Sequence, residues 1–160
     1  MSVWGKSNVD WQQRIDFKKL REDRLARAHQ MLHKYPFPKG NDPSRFKGLR
    51  EQATQMRNET PYALCTGIGG VIYEYCWYMR GLERWFMDML TDQPFCEAMI
   101  DRTLFYWKNY YSGFMDSVGD LVDIVMIGDD LAGQNGPLFS PEFYRRVVKP
   151  RQKELVQRCH

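Results

Sequence analysis

Between Leu121 and Ile127 the chain runs Leu121-Val122-Asp123-Ile124-Val125-Met126-Ile127, apolar except at Asp123 and rich in β-branched side chains. Such a run lacks the polar alternation of a half-exposed strand, so it is expected as a strand covered on both faces in a parallel sheet. It closes on Asp129-Asp130, followed by the glycine-rich loop Leu131-Ala132-Gly133-Gln134-Asn135-Gly136-Pro137 and a helix start at Ser140-Pro141-Glu142. The C-terminal tips of parallel strands are where α/β folds build their ligand sites, which makes Asp129 and Asp130 candidate catalytic residues, one of them binding a cationic or hydroxylated ligand or acting as an acid/base.

The rest of the chain supplies helices and one further strand. Phe17, Leu20, Leu25, Ala28, Met31 and Leu32 recur at helical spacing within residues 10–34, and Tyr35-Pro36-Phe37-Pro38 ends that helix in an extended linker. Asp42-Pro43 reads as an N-cap with proline in the first turn, opening a helix to about Arg57. Tyr62-Ala63-Leu64-Cys65-Thr66 is the second expected strand, and Gly67-Ile68-Gly69-Gly70 its exit turn. Helices are expected over Val71 to Met79, Leu82 to Leu90, Phe95 to Val118, and Pro141 to Cys159 with an interruption near Pro150.

Strand, helix, strand, helix in that order predicts an α/β fold built from βαβ units, helix-rich, with residues 1–40 as a helical extension and linker and 41–160 as the main body. Two strands leave sheet edges and apolar surface open, whereas a closed parallel barrel takes eight strands. The chain is therefore expected to be part of a larger sheet, completing its core as a homo-oligomer or by association with a missing barrel portion.

Composition narrows the functional classes. Hydrophobic residues make up 43% and aromatics 14%, which argues against intrinsic disorder. No apolar stretch approaches the about 20 residues that cross a bilayer, and Met1 to Lys6 lacks the apolar core of a secretory signal, so a cytoplasmic protein without a membrane partner is expected. The net charge of +3 is uneven: residues 1–60 carry 13 Lys/Arg against 7 Asp/Glu, residues 61–160 carry 10 against 13. Arg21-Glu22-Asp23-Arg24 interleaves signs on the basic part, which fits a solvated helix face, and no nucleic-acid recognition motif accompanies it. Cys65, Cys76, Cys96 and Cys159 lack close metal-ligand spacing and read as reduced thiols. His29 and His33, four apart, have a spacing that holds metal on a helix, but a solvated face accounts for them without a third ligand.

Two motifs then resemble a known family. Gly67-Ile68-Gly69-Gly70 through Tyr78-Met79-Arg80-Gly81, and Asp129-Asp130-Leu131-Ala132-Gly133 with Pro137-Leu138-Phe139-Ser140-Pro141-Glu142-Phe143-Tyr144, are similar to segments of the uroporphyrinogen decarboxylase superfamily, which includes the cobamide:coenzyme M methyltransferases. Lys149-Pro150 matches a further family proline. The resemblance covers residues 42–160 and implies a partial (β/α)8 TIM-barrel segment. It implies Tyr78 at the active-site cleft, Asp129 and Asp130 as the strand-end acids, and corrinoid-dependent methyl transfer to a thiol or, alternatively, tetrapyrrole decarboxylation. Asp130 stands where decarboxylases carry a serine, and a second carboxylate would repel the acid side arms of a porphyrinogen. That favours the methyltransferase branch, with a small-molecule substrate or a corrinoid protein as partner. No cofactor site is expected within this chain; zinc and corrinoid belong to the complete enzyme the resemblance implies, and the His-x-Cys zinc motif would lie beyond His160. The other class is a non-catalytic interaction module.

Each candidate has a structural alternative. Adjacent residues at a strand end point to opposite sides, so at most one of Asp129 and Asp130 faces the barrel axis; either could instead cap loop amides. Gly67, Gly69 and Gly70 allow close approach of a ligand to the backbone or simply a tight turn. Gln134 adds a polar group able to converge on a ligand. Phe105, Tyr106, Trp107, Tyr110, Tyr111 and Phe114 read as packing.

Overall fold

The computed structural model describes residues 16–68 and 71–159. Its longest element is a helix, α5, over Gln93–Val118, preceded by α1 (Phe17–His33), α2 (Leu49–Glu59), α3 (Glu74–Arg80) and α4 (Leu82–Thr91). Asp92 caps α5 by accepting from the Phe95 amide at 3.4 Å, with Pro94 in the first turn. Cys96, Met99, Ile100, Thr103, Leu104, Trp107, Tyr111, Phe114 and Val118 then recur three and four apart and are all buried. That stripe forces neighbours on several sides, and α1, α2, α3, α4 and the last helix all lie against α5.

Two parallel strands sit beside this helical layer: β1 (Cys65–Ile68) and β2 (Ile124–Ile127), with Cys65 opposite Ile124 and Ile68 opposite Ile127. Helices α3, α4 and α5 form the crossover between them. The pair is the α/β element expected from the sequence, and the described strands close no barrel. A small antiparallel hairpin follows, β3 (Ala132–Gly133) against β4 (Gly136–Pro137). No described helix is long and apolar enough to cross a membrane.

Four expectations need correction. The first strand begins at Cys65, three residues later than its apolar run, because Leu64 is occupied by Asp123: the Leu64 amide donates to Asp123 Oδ2 at 2.8 Å and its carbonyl accepts from Asp123 and Ile124. Gly67 therefore lies inside the strand, not in a turn; a Cβ there would stand 2.4 Å from the Met126 carbonyl oxygen. Second, β2 is not covered on both faces: Val125 and Ile127 pack on the core, whereas Ile124 and Met126 are 51% and 60% exposed. The helices supply one layer only. Third, the helix expected from Asp42 is split. Asp42 caps a single 3₁₀ turn, Pro43–Phe46, and Gly48 turns the chain at φ +78° before α2 starts.

Fourth, Pro150 does not interrupt the last helix. A short turn, α6 (Pro141–Phe143), passes through a π-helical stretch, Tyr144–Val148, into α7 (Lys149–Arg158). The Lys149 amide reaches back five residues to Tyr144, and this widened turn makes room where the proline ring would otherwise meet the preceding turn. The segment thus keeps Val147, Val148 and Leu155 buried along one continuous wall.

The linker after α1 returns at Gly40, which is buried where its missing side chain lets the backbone touch α5. A Cβ there would lie 2.3 Å from the Tyr106 carbonyl oxygen and 2.8 Å from the Tyr110 amide nitrogen. At Gly113 the nearest obstacle is the Phe46 ring at 2.5 Å, which can rotate. Gly40→Ala is expected to destabilise the protein by about 3 kcal/mol and Gly113→Ala by about 1 kcal/mol, read as midpoints of urea unfolding; the reverse order would show that Gly40 is not a backbone contact.

Candidate functional site

The C-terminal ends of β1 and β2 and the start of α3 meet at one rim. The chain leaves β2 through Gly128, whose carbonyl accepts from Val71 at 3.2 Å, which holds the start of the α3 segment against the strand end. Asp129 comes next and its carboxylate collects that segment's free amides: Ile72 at 3.2 Å, Tyr73 at 3.0 Å and Glu74 at 3.0 Å, all to Oδ1. Helix starts leave such donors unsatisfied, and a carboxylate there also meets the positive end of the helix dipole. Gln152, from α7, donates to Oδ2 at 3.4 Å and accepts from the Tyr144 hydroxyl at 3.2 Å. Of the two readings of Asp129, the structure therefore places it as a cap for α3 rather than as a free acid.

Asp130 is exposed. Its amide donates to Glu74 Oε2 at 3.3 Å, while Glu74 Oε1 accepts from the Tyr78 hydroxyl one turn along α3. Glu74 thus joins two of the expected site residues, Asp130 and Tyr78, and three carboxylates share the rim. Tyr78 is exposed and packs beside Trp77 and Tyr75. Gln134 is exposed at the tip of the β3–β4 hairpin, in its two-residue turn. Gly69 and Gly70 lie outside the described residues; Gly67 is in β1, as above. The helix-start amides of Ile72, Tyr73 and Glu74 are already taken by Asp129.

Glu74 and Gln152 are the rim residues that sequence reasoning missed. Glu74 carried a signal, since it stands four residues before Tyr78 in the first turn of an expected helix. Gln152 carried none, because only the packing of α7 brings it to Asp129. Elsewhere, His29 is accounted for by Asp101, whose Oδ2 lies 3.2 Å away, and Arg151 shares that carboxylate. No group of three or more metal-ligating side chains occurs among the described residues. The four cysteines are free thiols; burial pushes Cys96 up to about 12 and Cys76 well above its usual value, so neither is a nucleophile at neutral pH.

Protonation at the rim follows from burial and hydrogen bonding. Burial raises the Asp129 carboxyl above the usual carboxylate range, outweighing the Glu74, Tyr73 and Ile72 amides and Gln152, which pull it down. The hydrogen bond to Glu74 raises the Tyr78 phenol. Asp120 and Asp123 are lowered by their bonds to Arg50 and Arg57. Comparison with protein-family models, with curated proteins and with solved structures finds no match to this chain.

A carboxyl whose pKa rises on folding stabilises the folded state below its unfolded value, and that contribution is lost as pH climbs through the raised value. Lowered carboxyls such as Asp120 and Asp123 do the opposite, stabilising above the unfolded value and losing it on acidification. Asp129→Asn keeps an oxygen acceptor without a charge to desolvate, so its cost relative to the native protein is expected to be greatest at low pH and to shrink as pH rises above 3.8. Asp129→Ala leaves three amides orphaned and is expected to cost about 1–3 kcal/mol at neutral pH. Chemical unfolding of both variants across pH checks the sign; an Asn cost that grows with pH would refute a raised Asp129.

Proposed function

We propose that this chain is a segment of a (β/α)8 barrel of the uroporphyrinogen decarboxylase type, and that its rim forms one wall of the substrate site of a corrinoid-dependent methyltransferase acting on a thiol. Glu74, Asp130 and Tyr78 contact substrate in this reading, with Gly67 and Gln134 bordering it. Asp129 is a positioning residue that fixes the start of α3. The parallel β1–β2 pair supports the reading, as do the loops gathered at its C-terminal end. The exposed Ile124 and Met126 face supports association with further strands, either of a remaining barrel portion or of a second copy.

Charge is the observation that favours methyl transfer over tetrapyrrole decarboxylation. Glu74, Asp129 and Asp130 meet at the rim, and none of them forms an ion pair with a described Lys or Arg. Like charges 4 Å apart repel by about 1 kcal/mol in water and about 4 kcal/mol near a protein surface, so a polycarboxylate porphyrinogen meets repulsion here. A corrinoid presented at the rim would supply the methyl group to a thiolate and would retain the electron pair of the broken bond. The rim's part is to orient a hydroxylated or cationic portion of the substrate through Glu74 and Asp130. The described residues offer no group of three or more ligands for zinc.

The alternative is an interaction module with no catalysis of its own. It is favoured by the engagement of Asp129 with four donors and of the Tyr78 hydroxyl with Glu74, which leaves Asp130 as the rim acid whose carboxylate has no partner among the described residues. Amide chemical-shift mapping on the intact chain separates the readings. Methylcobalamin is expected to perturb Gly67, Tyr78 and Asp130, and uroporphyrin to leave them unmoved. Uroporphyrin at the rim would favour decarboxylation, and silence with both would leave the non-catalytic module.

A further inference from the structure

A cavity of about 830 Å³ opens at the opposite end of α3 from the acidic rim, between α1, the linker at Phe37, and helices α4 and α5. Its size falls within the range of about 300–1,000 Å³ typical of small-molecule sites. Met31, Phe37, Phe95 and Met99 supply an apolar wall, and methionine adapts to irregular apolar ligands. Arg24, Arg80, Arg84 and Arg102 also line it, against only Asp88 and Asp92.

The pairing within that set leaves charge over. Arg24 pairs with Asp92 at 2.9 Å, while Arg80 at 2.6 Å and Arg84 at 3.2 Å share the single carboxylate of buried Asp88. Four guanidinium groups thus face two carboxylates. Arg102 has no carboxylate partner among the described residues. Its guanidinium is held 4.8 Å from the centre of the Phe37 ring and 5.6 Å from that of Phe105, and its Nε is sealed from solvent with no acceptor. A guanidinium held against aromatic rings is preorganised, and its terminal nitrogens can receive an anion in a forked geometry.

We propose that this cavity binds an amphipathic organic anion, an apolar chain or ring seated on the methionine and phenylalanine wall with its carboxylate on Arg102 and Arg84. The site lies at the other end of α3 from the rim and does not depend on the function proposed for that rim.

Calorimetric titration of the intact chain with dodecanoate, dodecanol and dodecylammonium tests head-group charge at constant tail. Dodecanoate is expected to bind at least about tenfold more tightly than the alcohol, consistent with one charge-assisted hydrogen bond, and the ammonium most weakly. Arg102→Gln is expected to remove that advantage while leaving dodecanol binding unchanged, and Arg102→Lys to keep part of it. Arg84→Gln, at a side chain 66% exposed, gives a second reading that does not depend on how the stacked arginine tolerates substitution, with a smaller loss expected for dodecanoate alone. Methyl signals of Met31 and Met99 should shift with dodecanoate. Equal affinity for the three head groups, no binding of dodecanoate, or indifference to both arginine substitutions would overturn the proposal.

Discussion

A carboxylate half-buried at the end of a strand is stable only when donors surround it, and Asp129 gathers four from two separate parts of the chain. Three are amides at the start of α3, and the fourth is the Gln152 side chain on α7. One side chain thereby ties the exit of β2 to the helix that follows β1 and to the C-terminal wall. The crossover between the parallel strands spans α3, α4 and α5, so its closure depends on contacts of this range rather than on local propensity. Remove the cap and the seven-residue α3, too short to be stable by itself, loses what holds its first turn.

The rest of the assembly leans on α5 and on charges buried against it. Glu97 is 5% exposed and is met by Arg21 from α1 and by Arg146 from the π-helical turn, the latter at 2.7 Å. Asp88 is equally buried between Arg80 and Arg84. Arginine suits such places because its planar fork satisfies both carboxylate oxygens. These pairs contribute little as isolated contacts, but an unpaired buried carboxylate would be strongly destabilising, so they fix how α1 and the π-helical turn face α5 and how α3 meets α4.

Helices α4 and α5 are legible in the sequence because their information is local. The stripe from Cys96 to Val118 and the breaks at Gly81 and Asp92 set α4 and α5 to within a residue or two. The strands were shifted because their limits depend on the partner: Asp123 takes the Leu64 amide, and pairing starts one residue later. Exposure of Ile124 and Met126 was unreadable as well, since a β-branched apolar run looks the same whether one face or two is covered. At the rim, the place of Asp129 and Asp130 just after a strand is legible from local pattern, whereas Tyr78 enters only through a resemblance. What could not be read was their division of labour. Glu74 bridges Tyr78 to the Asp130 backbone, and Gln152 arrives from α7; both relations exist only after α3 and α7 have docked.

A formal charge of +3 conceals a separation along one short helix. At about 1.5 Å per residue, α3 is about 10 Å long. Its first turn carries Glu74 beside Asp129 and Asp130; its last residue, Arg80, faces a cavity with more guanidinium groups than carboxylates. This order agrees with the helix dipole, whose positive end favours the acids and whose negative end favours Arg80. The dipole acts over one turn only, so it explains Glu74 and Arg80 but not Asp130, Arg84 or Arg102, which come from other elements. Their convergence on the two ends must therefore be set by tertiary packing. It leaves two chemically opposite surfaces on one scaffold: a rim that gathers three carboxylates, and a cavity lined by four arginines against two aspartates.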